Sequence, residues 1–249
     1  MQLIYKETLT VTAELADGRG NLLPSMLLRL SQNIAGRHCD ILGVDSKVLE
    51  EKGLFWAIVR NRIQITKMPT IGQTITLQTW PMPTTRVSFP RGTAAYDGDG
   101  NLLFSCHSLW ILMDRETRAM VLPGKSGVDV PGVTLEDAPP APMAVPAADL
   151  PATFQRQVSA EDLDQNRHMN NARYMDWVDD ALGDAFLNTH RLKCATLCYI
   201  NEAKEGQMLI GCIKKEDENR LSFHLLRHGD TSKPERIFSA DLEFDSVVM

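Results

Sequence analysis

Long apolar runs are missing from this 249-residue chain; no stretch approaches the roughly 18 consecutive apolar residues of a membrane-spanning helix. The N-terminal segment MQLIYKETLTVTAEL alternates apolar and polar side chains where a signal peptide would carry an unbroken apolar core. The expected location is therefore cytoplasmic, with no membrane insertion. Cysteine is sparse: five residues (Cys39, Cys106, Cys194, Cys198, Cys212), odd in number and scattered, argue against a disulfide framework and fit reduced thiols. Cys194 and Cys198 invite a metal site, but in a stretch that reads as strand they stand about 13 Å apart, too far to share one zinc ion. The segment Gly124-Lys125-Ser126 ends like a phosphate-binding loop, yet Ala119 occupies the place of its first glycine. No metal and no organic cofactor are expected. Basic charge is not in excess either, since 26 Lys and Arg against 32 Asp and Glu give −6, and no nucleic-acid partner is expected.

What is present is ordinary globular composition, 43% hydrophobic and 23% charged, which excludes a disordered chain. At about 150 residues per domain the length allows one large domain or two modest ones. Six of the thirteen prolines (131, 139, 140, 142, 146 and 151) crowd into one alanine-rich stretch, which reads as an extended linker over 131–151 between residues 1–130 and 152–249. Charge divides there too. Residues 1–127 carry 14 basic and 11 acidic side chains, against 12 and 21 in residues 128–249, a balance of +3 against −9. The first half is the better landing surface for an acidic partner.

Both halves follow one order of elements. In the first, an alternating strand near 3–14 precedes a helix opened by Pro24, with Met26, Leu27, Leu30 and Ile34 at helical spacing. Strand-like runs follow near 55–66, 73–80, 85–96 and 101–114, the last two joined by Asp97-Gly98-Asp99-Gly100, strong hairpin chemistry because glycine supplies positive φ. In the second, a strand near 153–158 precedes a helix over Asn171–Leu187 and runs at 191–201, 207–214, 220–228 and 236–245. The expected class is α+β, a long helix wrapped by an antiparallel sheet in each half. The halves also align in sequence: Ile65, Gly72 and Gln73 match Tyr199, Gly206 and Gln207, while Asp17 and Leu22 match Asp164 and Met169. Under that alignment Arg19 stands opposite Asn166, Asn21 opposite His168 and Met68 opposite Glu202. Duplication followed by loss of chemistry in the first half explains the pattern.

The stretch Asp164-Gln165-Asn166-Arg167-His168-Met169-Asn170-Asn171, followed by Tyr174 and Trp177, sets an acid, an amide and an imidazole just ahead of a helix, with Asn170 as its N-cap. If that approach is extended, Asp164, Asn166 and His168 leave it on one side. Helix amides beyond them would then favour developing negative charge. The bland alternative is a set of ordinary turn formers. Glu202 adds to the case, because Leu192, Cys194, Thr196, Cys198, Ile200 and Glu202 share one face of a strand, and a carboxylate ending a largely apolar row is a candidate base. Its own bland alternative is a solvated strand end beside Lys204.

The pattern Asp164-x-Asn166-x-His168-x-Asn170-Asn171-x-x-Tyr174, with Tyr199-x-x-Glu202 after it, resembles the acyl-acyl carrier protein thioesterases of plants and bacteria. The likeness runs through the first half as well, in Trp56 with Arg60, Pro69-x-x-Gly72, Thr79-Trp80 and Trp110-x-x-x-Asp114 before Thr117-Arg118. It implies a tandem, or double, hotdog fold. It also implies that Asp164, Asn166, His168 and Glu202 are the catalytic residues of a thioester hydrolase that releases free fatty acid from acyl carrier protein and so terminates fatty acid synthesis. Family members often place cysteine directly after the glutamate; Ala203 here closes a cysteine-nucleophile route. Glu202, helped by His168 and Asn166, would activate water, with Asp164 orienting its neighbours and helix amides holding the oxyanion.

For the acyl chain the natural slot lies in the first half, with Met26, Leu30, Ile34, Trp56 and Ile58 as lining candidates. An acidic carrier protein would dock on Arg60, Arg62, Lys67, Arg86 and Arg91. The rival readings are a hotdog thioesterase or dehydratase acting on acyl-coenzyme A, and a non-catalytic acyl-binding or carrier-docking module. A homodimer is left open by the sequence.

Overall fold

The computed structural model describes residues 2–147, 150–164, 166–228 and 234–246. The chain divides into two compact units, Met1–Pro142 and Met143–Met249. The division falls inside the proline-rich stretch 131–151, of which positions 148 and 149 lie outside the described residues.

The first unit contains β1 (Tyr5–Thr10), α1 (Pro24–Leu42), α2 (Ser46–Glu51), β2 (Leu54–Ile65), β3 (Thr74–Pro81), β4 (Phe89–Tyr96), β5 (Leu102–Asp114), β6 (Met120–Val121) and α3 (Pro123–Ser126). Its strands pair antiparallel in the order β1-β3-β4-β5-β2, with β6 added along β5. Helix α1 starts where Pro24 costs no hydrogen bond and stops at Gly43, whose φ of 70° closes the last turn. Its buried face, Leu27, Leu28, Ile34, Ala35, His38 and Leu42, packs on β1 and β3, and each large apolar side chain so buried stabilises the fold by roughly 1.5–3 kcal/mol. A second cluster, Leu42, Val44, Leu49, Leu54, Phe89, Leu112, Val128 and Val130, sits under α2 and the segment after β6. The Asp97–Gly100 turn closes as its residues require, with Asp97 N–H donating to Asn101 O at 3.0 Å and Gly100 at φ 84°.

Residues 131–142 do not behave as an extended linker. They form a strap on the first unit's sheet: Val133 N–H donates to Pro81 O (2.9 Å), His107 Nδ1–H to Pro139 O (3.0 Å) and the Tyr96 hydroxyl to Asp137 Oδ2 (2.5 Å). Pro139 and Pro142 are buried. Proline lacks an N–H to give, but its carbonyl still accepts, so a proline-rich segment can be tied down by donors from the sheet. Gly132 is required by this contact, because a Cβ there would lie 2.3 Å from the Met82 backbone.

The second unit repeats the plan with β7 (Phe154–Gln157), α4 (Arg173–Leu187), β8 (His190–Tyr199), β9 (Met208–Lys215), β10 (Arg220–Arg227) and β11 (Glu235–Ser246), antiparallel in the order β7-β9-β10-β11-β8. Strand for strand this is the order of the first unit. Helix α4 opens at Arg173, two residues later than the sequence predicts, because Asn170 Oδ1 accepts Ala172 N–H (2.9 Å) and holds a turn ahead of it. Gly183, at φ 72° and ψ 165°, interrupts the helix before its last residues. Strand β8 ends at Tyr199, so Glu202 belongs to the following connection and not to the apolar row predicted for it. Among the described residues no helix is long and apolar enough to cross a membrane.

Candidate active site

The loop from Asp164 to Met169 is a closed turn, not the extended approach that alternation suggests. Asp164 N–H donates to His168 O (2.8 Å) and Arg167 N–H to Asp164 O (3.0 Å), with Arg167 itself left-handed at φ 60°. The Asp164 carboxylate turns inward, where Oδ1 accepts the N–H groups of Asn166 (2.8 Å) and His168 (3.3 Å). Aspartate favours this geometry because its short side chain mimics a backbone turn. Asp164 therefore shapes the loop through its backbone, Asn166 stands exposed at the tip, and Gln165 lies outside the described residues.

That turn is docked against the connection after β8. Met169 N–H donates to Ala203 O (2.8 Å), and His168 bridges Lys204. The two remote stretches thereby bring His168 Nε2 to 3.2 Å from Glu202 Oε2, with the side chains 21% and 43% exposed. An imidazole and a carboxylate in hydrogen-bond contact, both open to solvent, can take a proton from water and return it to a leaving group. The burial expected for Glu202 at the end of an apolar row is not there.

Tyr174, which the sequence reading quotes only as part of the motif, stands behind the pair. Its ring stacks on Phe238 (centroids 4.7 Å apart) and meets Tyr199 edge-on (5.7 Å). Its phenol oxygen takes the Ala203 N–H, and burial, reinforced by the Glu202 charge, pushes its pKa well above the usual tyrosine range.

A second group missed by the sequence reading anchors the helix. Asp162, 1% exposed, accepts from Arg173 Nε (3.1 Å) and Nη2 (3.0 Å), from Trp177 Nε1 (3.2 Å), and from Ser159 through its N–H (2.9 Å) and hydroxyl (3.0 Å). Burial opposes ionisation of this carboxyl, yet these donors outweigh it and hold the pKa below the ordinary value. The available signal was the Ser159-x-x-Asp162 capping box together with two donors one turn apart at Arg173 and Trp177. At the start of α4 the Ala172, Arg173 and Met175 amides already serve Asn170 and Ala172, so these three are taken within the turn rather than free for an oxyanion.

The remaining candidates fall in the first unit. Ile34 and Ile58 are buried, while Met26, Leu30 and Trp56 are half-buried. The Trp56 indole N–H is held by Val44 O (2.9 Å) and its ring meets Phe89 edge-on, which makes it part of the second cluster. Lys67 and Arg86 are exposed, and Arg60 and Arg62 are half-buried. Arg91 corrects the docking set. It is 6% exposed and points between β4 and α1, with Nη1 3.1 Å from His38 Nδ1 and 3.4 Å from Thr79 Oγ1, and Nη2 3.5 Å from Cys39 Sγ. A guanidinium spent on those partners offers no charge to a docking protein. Among the described residues no group of three or more His, Cys, Asp or Glu side chains is arranged to hold a metal ion.

Two layers of helix on antiparallel sheet, each with the same strand order, define a double hotdog. Solved structures with this fold include an acyl-ACP thioesterase from Bacteroides thetaiotaomicron (TM-score 0.82, 23% identity, covering 97% of this chain and 98% of that one) and the 12:0-ACP thioesterase from Umbellularia californica (TM-score 0.82, 18% identity, 99% of each chain). By sequence the chain is similar to oleoyl-acyl carrier protein thioesterase 2 of Arabidopsis thaliana chloroplasts, 24% identical over 233 residues, and to a palmitoyl-acyl carrier protein thioesterase of Cuphea hookeriana, 23% identical over 226. These matches take in 84% and 83% of this chain but 63% and 54% of the relatives, so the chain spans less than two thirds of their length. The family model for the acyl-ACP thioesterase N-terminal domain matches residues 2–122 and that for the C-terminal domain residues 150–245. The chain belongs to the acyl-ACP thioesterase family.

Proposed function

We propose that the protein hydrolyses fatty acyl thioesters of acyl carrier protein, releasing the free acid and ending chain growth. One observation carries this reading in a chain of this family: the contact of His168 Nε2 with Glu202 Oε2 at 3.2 Å on a solvent-open rim. Glu202 accepts a proton from a water molecule as the water oxygen bonds to the thioester carbonyl carbon. The tetrahedral intermediate collapses, the carbon–sulfur bond breaks, and the departing thiolate takes a proton, for which the imidazole of His168 is the nearby carrier. Asn166, exposed at the loop tip, completes the set, and Asp164 holds the loop that presents it.

The acyl chain lies in the first unit against Met26, Leu30, Ile34, Trp56 and Ile58, between helix and sheet. An acidic carrier protein is steered by Arg60, Arg62, Lys67 and Arg86. A cytoplasmic setting suits this partner.

The test is incubation of purified protein with a ladder of acyl carrier protein thioesters beside the matching coenzyme A esters, with chromatography of the liberated acids. Release of free acid at higher kcat/KM from the carrier ester is expected. Preference for the coenzyme A ester moves the assignment to the other thioester class, and binding without release replaces the hydrolase with an acyl-binding module.

A further inference from the structure

The proposed reaction depends on Glu202 keeping its carboxylate against His168, although Glu202 lies on an irregular connection and is 43% exposed. Main-chain bonds hold the neighbouring Ala203, whose carbonyl accepts Met169 N–H at 2.8 Å, and a side chain holds the carbonyl of Glu202 itself. At the end of β10, Arg227 reaches across: its Nη1 donates to Glu202 O (3.2 Å) and to Gln207 Oε1 (2.7 Å), while Nε and Nη2 are held by Glu235 Oε2 on β11. The same Gln207 oxygen accepts Lys204 N–H at 2.9 Å. One guanidinium thus ties the carbonyl of the glutamate, the far end of its connection and two strands into a single frame.

The first unit supplies an internal control. Gln73 caps Thr70 N–H through Oε1 (3.2 Å) as Gln207 caps Lys204 N–H. Following the ladders, Leu77 pairs Ala95 and Thr76 pairs Tyr96 where Gly211 pairs Leu225 and Ile210 pairs Leu226, so the position matching Arg227 is Asp97. Its carboxylate is committed to the N–H groups of Asp99 and Asn101 in its own turn. Arginine occurs in the copy that carries Glu202 and an acidic turn former in the copy that carries Met68. Because the glutamine cap is common to both units, the fold of the connection does not by itself call for the arginine.

We infer that Arg227 is a positioning residue for Glu202, fixing the main chain from which the carboxylate meets His168. The inference rests on the reading of Glu202 as the proton acceptor. Misplacement of a reacting group by about 1 Å can cost about 10²-fold in rate, so Arg227→Ala is expected to lower kcat by about 10- to 100-fold with KM within about threefold. Arg227→Lys, which keeps the charge but not the fork, is expected to fall between. Arg227 and Gln207 also line a cavity of about 330 Å³ with Gln155, Met208, Ile210 and His228, so millimolar guanidinium ion should restore part of the lost kcat to Arg227→Ala.

The decisive comparison is a double-mutant cycle with Glu202→Ala. If Arg227 acts through Glu202, adding Arg227→Ala to Glu202→Ala slows turnover no further. Wild-type kcat in a folded Arg227→Ala protein overturns the inference, and so does an equal loss in both backgrounds. If Arg227→Ala does not fold, Arg227→Lys carries the test, with a lowered kcat expected and an unchanged one contradictory. Normal turnover by Glu202→Ala alone would instead remove the underlying reading of the site.

Discussion

The Asp17 loop of the first unit and the Asp164 loop of the second are held by the same bonds and present different chemistry. Asp17 N–H donates to Asn21 O (2.8 Å) as Asp164 N–H does to His168 O (2.8 Å), and each carboxylate takes the N–H groups two and four residues on. Gly20 and Arg167 occupy matching left-handed positions at φ 83° and 60°. Leu22 N–H reaches Pro69 O and Met169 N–H reaches Ala203 O, both at 2.8 Å, while Gly72 and Gly206 turn the next connection at φ 81° and 80°. On that shared frame His168 replaces Asn21 and Glu202 replaces Met68. The aspartate is thus scaffold in both copies, and the imidazole and the Glu202 carboxylate belong to one copy alone.

The helix starts diverge in the opposite sense. Where the second unit ties exposed Ser159 and half-buried Arg173 to buried Asp162 and Trp177, the matching residues of the first are Thr12, Leu15, Met26 and Leu30. In the second unit the base of the helix is held by polar side chains beside the loop that carries His168. The matching positions of the first unit, Met26 and Leu30, are apolar and half-buried.

The largest effect on stability is expected at this anchor. Asp162→Ala leaves the Arg173 guanidinium and the Trp177 N–H without their carboxylate and should cost about 3–5 kcal/mol in urea unfolding. Leu15→Ala, at the matching half-buried site, should cost only about 1 kcal/mol. Because the Asp162 pKa is depressed on folding, its contribution is complete above the ordinary carboxylate value of about 3.9 and is lost as the pH falls below it. Wild-type melting temperature should therefore drop more steeply than that of Asp162→Ala as the pH falls below about 4, and parallel curves would refute the anchor.

A smaller, symmetrical effect is expected at the two scaffold aspartates. Asp17→Ala and Asp164→Ala should each lose about 1 kcal/mol, the scale of a capping interaction. Asp164→Ala alone should slow hydrolysis, by about tenfold or more. Equal kinetic losses would mean that both loops take part in the reaction. Smallest of all, Gly72→Ala and Gly206→Ala should each cost about 1 kcal/mol for the left-handed backbone, and only the second should lower kcat. Differential scanning calorimetry with steady-state kinetics reads both quantities.

Much of this was legible in the sequence, and the parts that were not share a cause. Alternation, Pro24 and the Asp97–Gly100 turn mark most element ends within about two residues, because these signals are local, although β1 ends four residues before the predicted 14 and β4 starts four after the predicted 85. The meeting of His168 and Glu202 was foreseen from two short motifs, Asp164 to Tyr174 and Tyr199 to Glu202, each of fixed local spacing. Arg227 and Asp162 were not, because their roles consist of contacts with partners on other elements and no local pattern announces them. Arg91 was misplaced because strand β4 is buried along nearly its whole length, with α1 against Arg91 and the 131–142 strap tied to the neighbouring strands, so a charged residue in it does not mark a surface. The extended reading of Asp164–His168 failed because an aspartate able to cap its own turn folds the segment back.

The central claim is that one unit carries the chemistry and the other only its frame. Steady-state hydrolysis of an acyl carrier protein thioester by His168→Ala and Glu202→Ala, beside Asn21→Ala and Met68→Ala, tests it most directly. The first two should fall by about 10² or more in kcat/KM with folding intact, and the second two should stay within about threefold of wild type. Near-normal rates in the first pair, or matching losses in both pairs, would contradict it.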